Sequence, residues 1–201
     1  MIDGGRLKEV QEAMDLINNH VEDVAEKLSE EEVNNFVNTL LGSKRVFLIG
    51  AGRSGLIARA FAMRLMHLDL DVHVIGETIT PGVEKDDLFI GVSGSGETTL
   101  VVSAAKAARE IGAKIAVITS YPDSILGKLA DQVVTVPGRV EPAKTRDYMD
   151  RQISGKYESL TPLGTLFEAT ALIFLDGVIA GLMSKMGKKE EDLNRFHATI
   201  E

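Results

Sequence analysis

The chain of 201 residues sets 22 lysines and arginines against 30 aspartates and glutamates, a net charge of −8, and contains no cysteine. That length supports one domain with its own core, and 44% apolar with 26% charged residues is an ordinary globular composition that excludes wholesale disorder. The lack of cysteine excludes a disulfide scaffold, a thiolate zinc site and a cysteine nucleophile, while the acidic balance argues against nucleic acid, whose phosphates require a basic face. No basic-then-apolar leader pattern opens the sequence, so a cytoplasmic location is expected.

The acidity is unevenly placed. Residues 1–42 hold three bases (Arg6, Lys8, Lys27) and ten acids, a net of −7, which leaves −1 for residues 43–201. Within this segment Leu7, Val10, Met14, Ile17, Val21, Val24 and Leu28 recur at alternating steps of three and four, a helical stripe as narrow as a coiled-coil seam. Ser29 with Glu32 forms a capping box for a second helix that carries Val33, Phe36, Val37, Leu40 and Leu41 inward and stops at Gly42. Periodicity alone leaves open whether the first helix packs on its own domain or on a neighbouring subunit.

From residue 43 the period changes. Val46–Ile49, Val72–Ile75, Leu88–Val92, Ile115–Thr119 and Gln132–Val136 are short β-prone runs, with helical stretches at Ser54–Leu68, Glu97–Ile111 and Ser124–Ala130. This alternation predicts an α/β domain over 43–201, a five-stranded parallel sheet flanked by helices, with residues 1–42 as a helical extension of the same unit; a flavodoxin-like sheet of this kind has the strand order 2-1-3-4-5.

Two strand-to-helix turns stand out. The first strand runs into Gly50-Ala-Gly-Arg-Ser-Gly55 and the third into Ser93-Gly-Ser-Gly-Glu-Thr98. Glycines allow close backbone approach and aim successive N–H groups into one concavity, to which a helix N-terminus adds its unpaired N–H groups and dipole. With the hydroxyls of Ser54, Ser93, Ser95 and Thr98, each turn suits a phosphate without a lysine. In the order 2-1-3-4-5 both turns face one crevice at the switch point. Two alternatives remain at this level: ordinary tight turns with capping serines, or a dinucleotide fingerprint at Gly50, Gly52 and Gly55 with Glu77 toward a ribose.

The Ser93–Thr98 loop opposite the Gly52–Ser54 turn resembles the signature of the sugar-isomerase (SIS) domain family. Gly52-Arg-Ser-Gly55, Phe61-Ala-Met-Arg-Leu-Met-His-Leu68, Gly76-Glu-Thr78, Pro162-Leu-Gly-Thr-Leu-Phe-Glu168 and the tail His197-Ala-Thr-Ile-Glu201 resemble, more narrowly, the 6-phospho-3-hexuloisomerase family. Phe196 departs from the family tail, which usually has a basic residue before the histidine. The resemblance implies a phosphate site at Ser54, Ser93, Ser95 and Thr98, with Gly52, Gly94 and Arg53 beside it. It implies interconversion of D-arabino-3-hexulose 6-phosphate and D-fructose 6-phosphate, in the ribulose monophosphate pathway of formaldehyde fixation or in its reverse, coupled to 3-hexulose-6-phosphate synthase. It also implies a homo-oligomer, dimer or tetramer, with shared active sites.

Moving a carbonyl between C3 and C2 needs one base over both carbons and an enediol between them. A carboxylate in an apolar setting suits that task, because desolvation raises its pKa toward working pH. Glu168 lies in the run Leu163–Met183, which is otherwise nearly all apolar or small and which Thr161 and Pro162 are expected to open as N-cap and first helical residue. The bland alternative is a carboxylate held by the helix dipole; the family pattern instead makes Glu168 the base. Asp176, the other acid in the run, is read as structural. Two central acids and no aromatic belt argue against a membrane span, so the run is read as a core or interface helix. His197 is the candidate acid at the oxygens, acting from a neighbouring subunit if the family habit holds. Arg53 is the candidate partner of the phosphate or enediolate charge. His20, His67 and His73 show no metal spacing, and no metal or cofactor is expected. The polar connection 139–160 is either a lid or subunit contact over the crevice or a tethered surface loop. Another SIS isomerase acting on an aldose or amino-sugar phosphate, and a sugar-phosphate-binding regulator without turnover, stand as alternatives.

Overall fold

Five short hydrophobic strands run side by side in one direction in the computed structural model, which describes residues 4–138 and 164–194. β1 (Val46–Gly50) lies between β2 (Val72–Val74) and β3 (Leu88–Val92), followed by β4 (Lys114–Thr119) and β5 (Gln132–Thr135), in the order β2-β1-β3-β4-β5. All pairs are parallel; Val46 stands opposite both Val72 and Leu88, and Val92 opposite Gly50 and Ile118. The central strands are buried along their length because both faces are covered.

One face carries α2 (Glu30–Gly42), α3 (Arg53–His67) and α6 (Thr165–Met186). Phe36, Leu40, Phe61, Leu65, Phe174 and Leu175 pack there against Leu48, Ile90 and Ile118. The other face carries α4 (Thr99–Ile111) and the short α5 (Ile125–Leu129), with Val101, Ala105 and Leu126 against Phe89, Ile115 and Val117. Each of the valine, leucine, isoleucine and phenylalanine side chains contributes about 1.5–3 kcal/mol of burial energy. The chain between β2 and β3 holds turns and no helix, as its Pro81-Gly82 implies. α7 (Glu190–Asn194) follows α6. By length and composition α6 could cross a membrane, but half of it is buried, with Phe167, Ala171, Phe174 and Val178 in the core.

The stripe on α1 (Gly4–Lys27) divides in two. Val24 is buried and His20 Nε2 lies 2.9 Å from the Pro137 carbonyl oxygen, so the C-terminal half packs on this same chain. Leu7, Val10 and Met14, on the same stripe, remain exposed.

Three local expectations are corrected. Ser29 Oγ does accept the Glu32 N–H at 3.2 Å, but the Glu32 carboxylate does not return to Ser29. It accepts the Thr135 N–H at 2.9 Å, stitching α2 to β5, because the strand edge offers an unpaired donor. α4 begins at Thr99 rather than Glu97, since Gly96 at φ +65° keeps the loop out of helical geometry. α6 begins at Thr165, after Gly164 at φ +73°, whose carbonyl accepts the Glu168 N–H at 2.9 Å. Thr161 and Pro162, expected to start it, and the 139–160 connection lie outside the described residues.

At the opposite edge of the sheet Arg45 donates to both oxygens of fully buried Asp87, Nε at 3.0 Å and Nη2 at 2.6 Å, and the Glu84 N–H adds 2.7 Å. Burial pushes the Asp87 carboxyl up, but the Arg45 and Glu84 hydrogen bonds outweigh it and hold it below the usual range. A depressed carboxyl stabilises the fold above its unfolded pKa, and that contribution is lost as pH falls through the folded value. Asp87→Asn is therefore expected to lower the thermal midpoint at neutral pH far more than Glu77→Gln, which breaks the half-exposed Arg59–Glu77 pair. Melts repeated at about pH 3 should show the difference shrinking.

Candidate active site

The sheet's C-terminal edge opens into a cavity of about 210 Å³ whose walls come from five segments of the chain. The turn after β1 supplies Ala51, Gly52, Arg53 and Ser54; the loop after β3 supplies Gly94, Ser95 and Thr98. These are the switch-point turns, and they share one cavity because β1 and β3 are neighbours whose helices leave toward opposite faces.

Close packing shapes both turns. A Cβ on Gly50 would stand 2.6 Å from the Ser54 carbonyl oxygen, and one on Gly55 would stand 2.8 Å from the Gly50 oxygen. The end of β1 and the first turn of α3 therefore touch backbone to backbone. No side chain caps α3, whose N-cap is Gly52. In the second loop Ser93 is buried; its Oγ accepts the Gly96 N–H at 3.2 Å and lies 3.0 Å from Thr98 Oγ1. Ser93 thus sits beneath the loop and is absent from the cavity lining, whereas Ser95 and Thr98 are on it. Ser95 Oγ also accepts the Glu97 N–H at 3.2 Å.

The remaining walls are Ser120 and Tyr121 after β4 and Gly138 beyond β5, which sequence reasoning did not assign to a site, and Gly164 and Phe167 around the start of α6, which belong to the 162–168 stretch of the family resemblance but were given no role in it. Their signal was available in part, since β4 is the next strand to β3 and its following loop must reach the same edge. Phe167 sits against two of these glycines' neighbours in space: a Cβ on Gly94 would lie 2.9 Å from its ring, and one on Gly138 would lie 2.5 Å from its Cβ. This buried ring seats the first turn of α6 on the phosphate-type loop, with Glu168 next in the chain.

Glu168 lines the cavity with its side chain 13% exposed, and the Arg53 Nε donates to its Oε2 from across the crevice, with Arg53 63% exposed. Burial pushes the Glu168 carboxyl up; the Arg53 hydrogen bond and charge pull it back without cancelling the rise. Glu77, the dinucleotide alternative's ribose contact, pairs with Arg59 at 2.9 Å and is not on the cavity lining. Among the described residues no three His, Asp or Glu side chains gather as a metal site. His197 lies outside the described residues.

A carboxyl raised on folding makes the protein bind more protons than the unfolded chain, so its stability cost grows as pH rises through the folded value. Glu168→Gln is expected to raise the thermal midpoint at neutral pH. The gain should disappear in melts below the ordinary glutamate range, where the wild-type carboxyl is protonated in both states.

Comparison with known proteins agrees with this geometry. The SIS domain model matches residues 39–152. The 3-hexulose-6-phosphate isomerase of Bacillus subtilis is 39% identical over 183 residues, 91% of this chain and 94% of that one. The protein of the same description from Mycobacterium gastri is 39% identical over 188 residues, 94% of this chain and 89% of that one. A crystal structure from Methanococcus jannaschii, from which a molecular function of 3-hexulose-6-phosphate isomerase was inferred, aligns with a TM-score of 0.77 at 35% identity, covering 94% of this chain and 99% of that one. With the family model matching more than half of its length and the paired glycine–serine turns meeting at the switch point, the chain belongs to the sugar isomerase (SIS) domain family.

Proposed function

We propose that this protein interconverts D-arabino-3-hexulose 6-phosphate and D-fructose 6-phosphate through a 2,3-enediol. The observation that carries the proposal is a largely shielded carboxylate, Glu168, alone of its kind among the described residues of the lining, facing two phosphate-type turns across one small cavity. The 37–41% identity to relatives named 3-hexulose-6-phosphate isomerase, over most of the chain, supports the choice of substrate.

The phosphate is held by the hydroxyls of Ser54, Ser95 and Thr98 and by N–H groups at the starts of α3 and α4, with Gly52 and Gly94 letting the backbone close in. Ser93 serves the site from beneath, fixing Thr98 and the loop. Starting from the 3-hexulose, Glu168 takes the proton from C2, and the electron pair moves toward the C3 carbonyl oxygen to form the enediol. The same carboxyl then returns a proton to C3 while the C2 hydroxyl gives up its proton and becomes the carbonyl. A raised pKa brings the carboxyl nearer to the weak carbon acid it must serve. His197 is assigned the proton transfers between the two oxygens. No cofactor is required, because the substrate is its own oxidant and reductant.

The exposed Leu7, Val10 and Met14 on α1, with Leu172 and Ile173 on α6, support assembly into a homo-oligomer with shared sites, a dimer or tetramer. The protein is placed in the cytoplasm beside 3-hexulose-6-phosphate synthase, in formaldehyde fixation through the ribulose monophosphate pathway or in its reverse toward pentose phosphates.

Glu168→Gln is expected to keep the fold and lose about 10²–10⁴-fold in turnover. Product formation from fructose 6-phosphate, followed as pentose phosphate and formaldehyde with the partner synthase present, measures it. Near-normal turnover in the variant defeats the base assignment. Absence of both products with the wild-type protein defeats the substrate assignment, and trials with aldose and amino-sugar phosphates then identify the isomerase.

A further inference from the structure

The two partners of the ion pair in the cavity are very unequal. Glu168 stands on the first turn of α6, which Phe167 wedges into the loop after β3, and its side chain is 13% exposed. Arg53 is 63% exposed and reaches the carboxylate through Nε, and among the described residues its two terminal nitrogens make no further hydrogen bond. The backbone from which Arg53 springs is the glycine turn at the N-terminus of α3, between Gly52 and Ser54. Thus the cation that contacts the base belongs to the element suited to hold the phosphate. Its long stem can turn from one anion to the other, whereas the carboxylate cannot move with it.

We propose that Arg53 is a transferable counter-ion, bound to Glu168 in the free protein and drawn onto the phosphate when a phosphorylated substrate is seated. The proposal rests on the phosphate site and base assigned above. A phosphate dianion carries twice the charge of the carboxylate and offers a guanidinium bidentate geometry, so it outcompetes a single Nε hydrogen bond. Release leaves Glu168 buried without its cation, a stronger base toward carbon than in the free protein. Substrate phosphate thereby does two jobs: it anchors the sugar and it switches on the base. An unphosphorylated sugar meets a carboxylate still engaged by Arg53. Among the described residues of the cavity lining, the charged or titratable groups from every wall are Arg53 on α3, Glu168 on α6 and Tyr121 after β4, so Arg53 is the cation that can make the difference.

Infrared spectroscopy of the protein labelled with carbon-13 glutamate follows Glu168 directly, with Glu168→Gln subtracted, and needs no turnover. The carboxylate band is titrated against pH with and without inorganic phosphate, whose binding is followed independently by phosphorus NMR line width. Saturation with phosphate is expected to raise the Glu168 midpoint in the wild type. Arg53→Met is expected to start from a raised midpoint, and phosphate should move it much less, the remainder being direct repulsion by the dianion. If phosphate binds and the wild-type midpoint stays put, or if Arg53→Met leaves the midpoint unchanged, the counter-ion transfer is wrong while the phosphate site stands. If phosphate does not bind to the folded wild type, the site assignment fails and the transfer fails with it.

Discussion

The position of β1 between β2 and β3 in an all-parallel sheet constrains everything built at the site. Two neighbouring strands that send their helices to opposite faces must leave a gap between their C-terminal ends, and no side chain from the sheet fills it. α3 leaves over the face that carries α2 and α6, and α4 leaves over the other. Their N-termini consequently point into one crevice, where unpaired N–H groups and two helix dipoles create an anion-attracting field without a lysine.

That gap is narrow because backbone meets backbone. Gly50 and Gly55 allow β1 and α3 to touch, and Gly94 and Gly138 make room for Phe167. A larger residue at these points would displace either a phosphate-type turn or the first turn of α6. The carboxylate's depth, its raised pKa and its reach to Arg53 all descend from this packing. The chain's net charge of −8 is compatible with an anionic substrate, since residues 1–42 carry most of it and the cavity belongs to the nearly neutral remainder.

Strands and helices from β1 to β5 were readable within one or two residues, because an apolar run bounded by glycine or polar residues has few other solutions in a parallel sheet. The order of strands did not follow from alternation; it was the order in which the two glycine–serine turns would meet, and the structure has it. The candidate site was legible where chemistry sits in contiguous motifs, as at Gly52–Ser54 and Ser93–Thr98. It was less legible where a residue's role depends on its neighbours in space. Ser93 reads like Ser95 in the motif, yet one hydroxyl is buried beneath the loop and the other faces the cavity. Ser120 and Tyr121 carry no motif and join the site only because β4 lies next to β3. Glu32 shows how a local rule yields to tertiary context: its capping-box geometry is half made, and the carboxylate goes to Thr135 on another element.

The sequence by itself determined the α/β class of the fold and the two glycine–serine turns, which depend on local periodicity and on residues close together in the chain; the strand order and the choice of Glu168 came with the family resemblance. Only the tertiary structure decided that α1 is half docked and half exposed, that Phe167 seats the first turn of α6 between glycines, and that Arg53 holds Glu168 across the crevice. Those facts join residues from separate elements of the chain, as far apart as the 115 positions between Arg53 and Glu168. Their distances are set by how helices settle on the sheet, a property that no stretch of sequence carries alone.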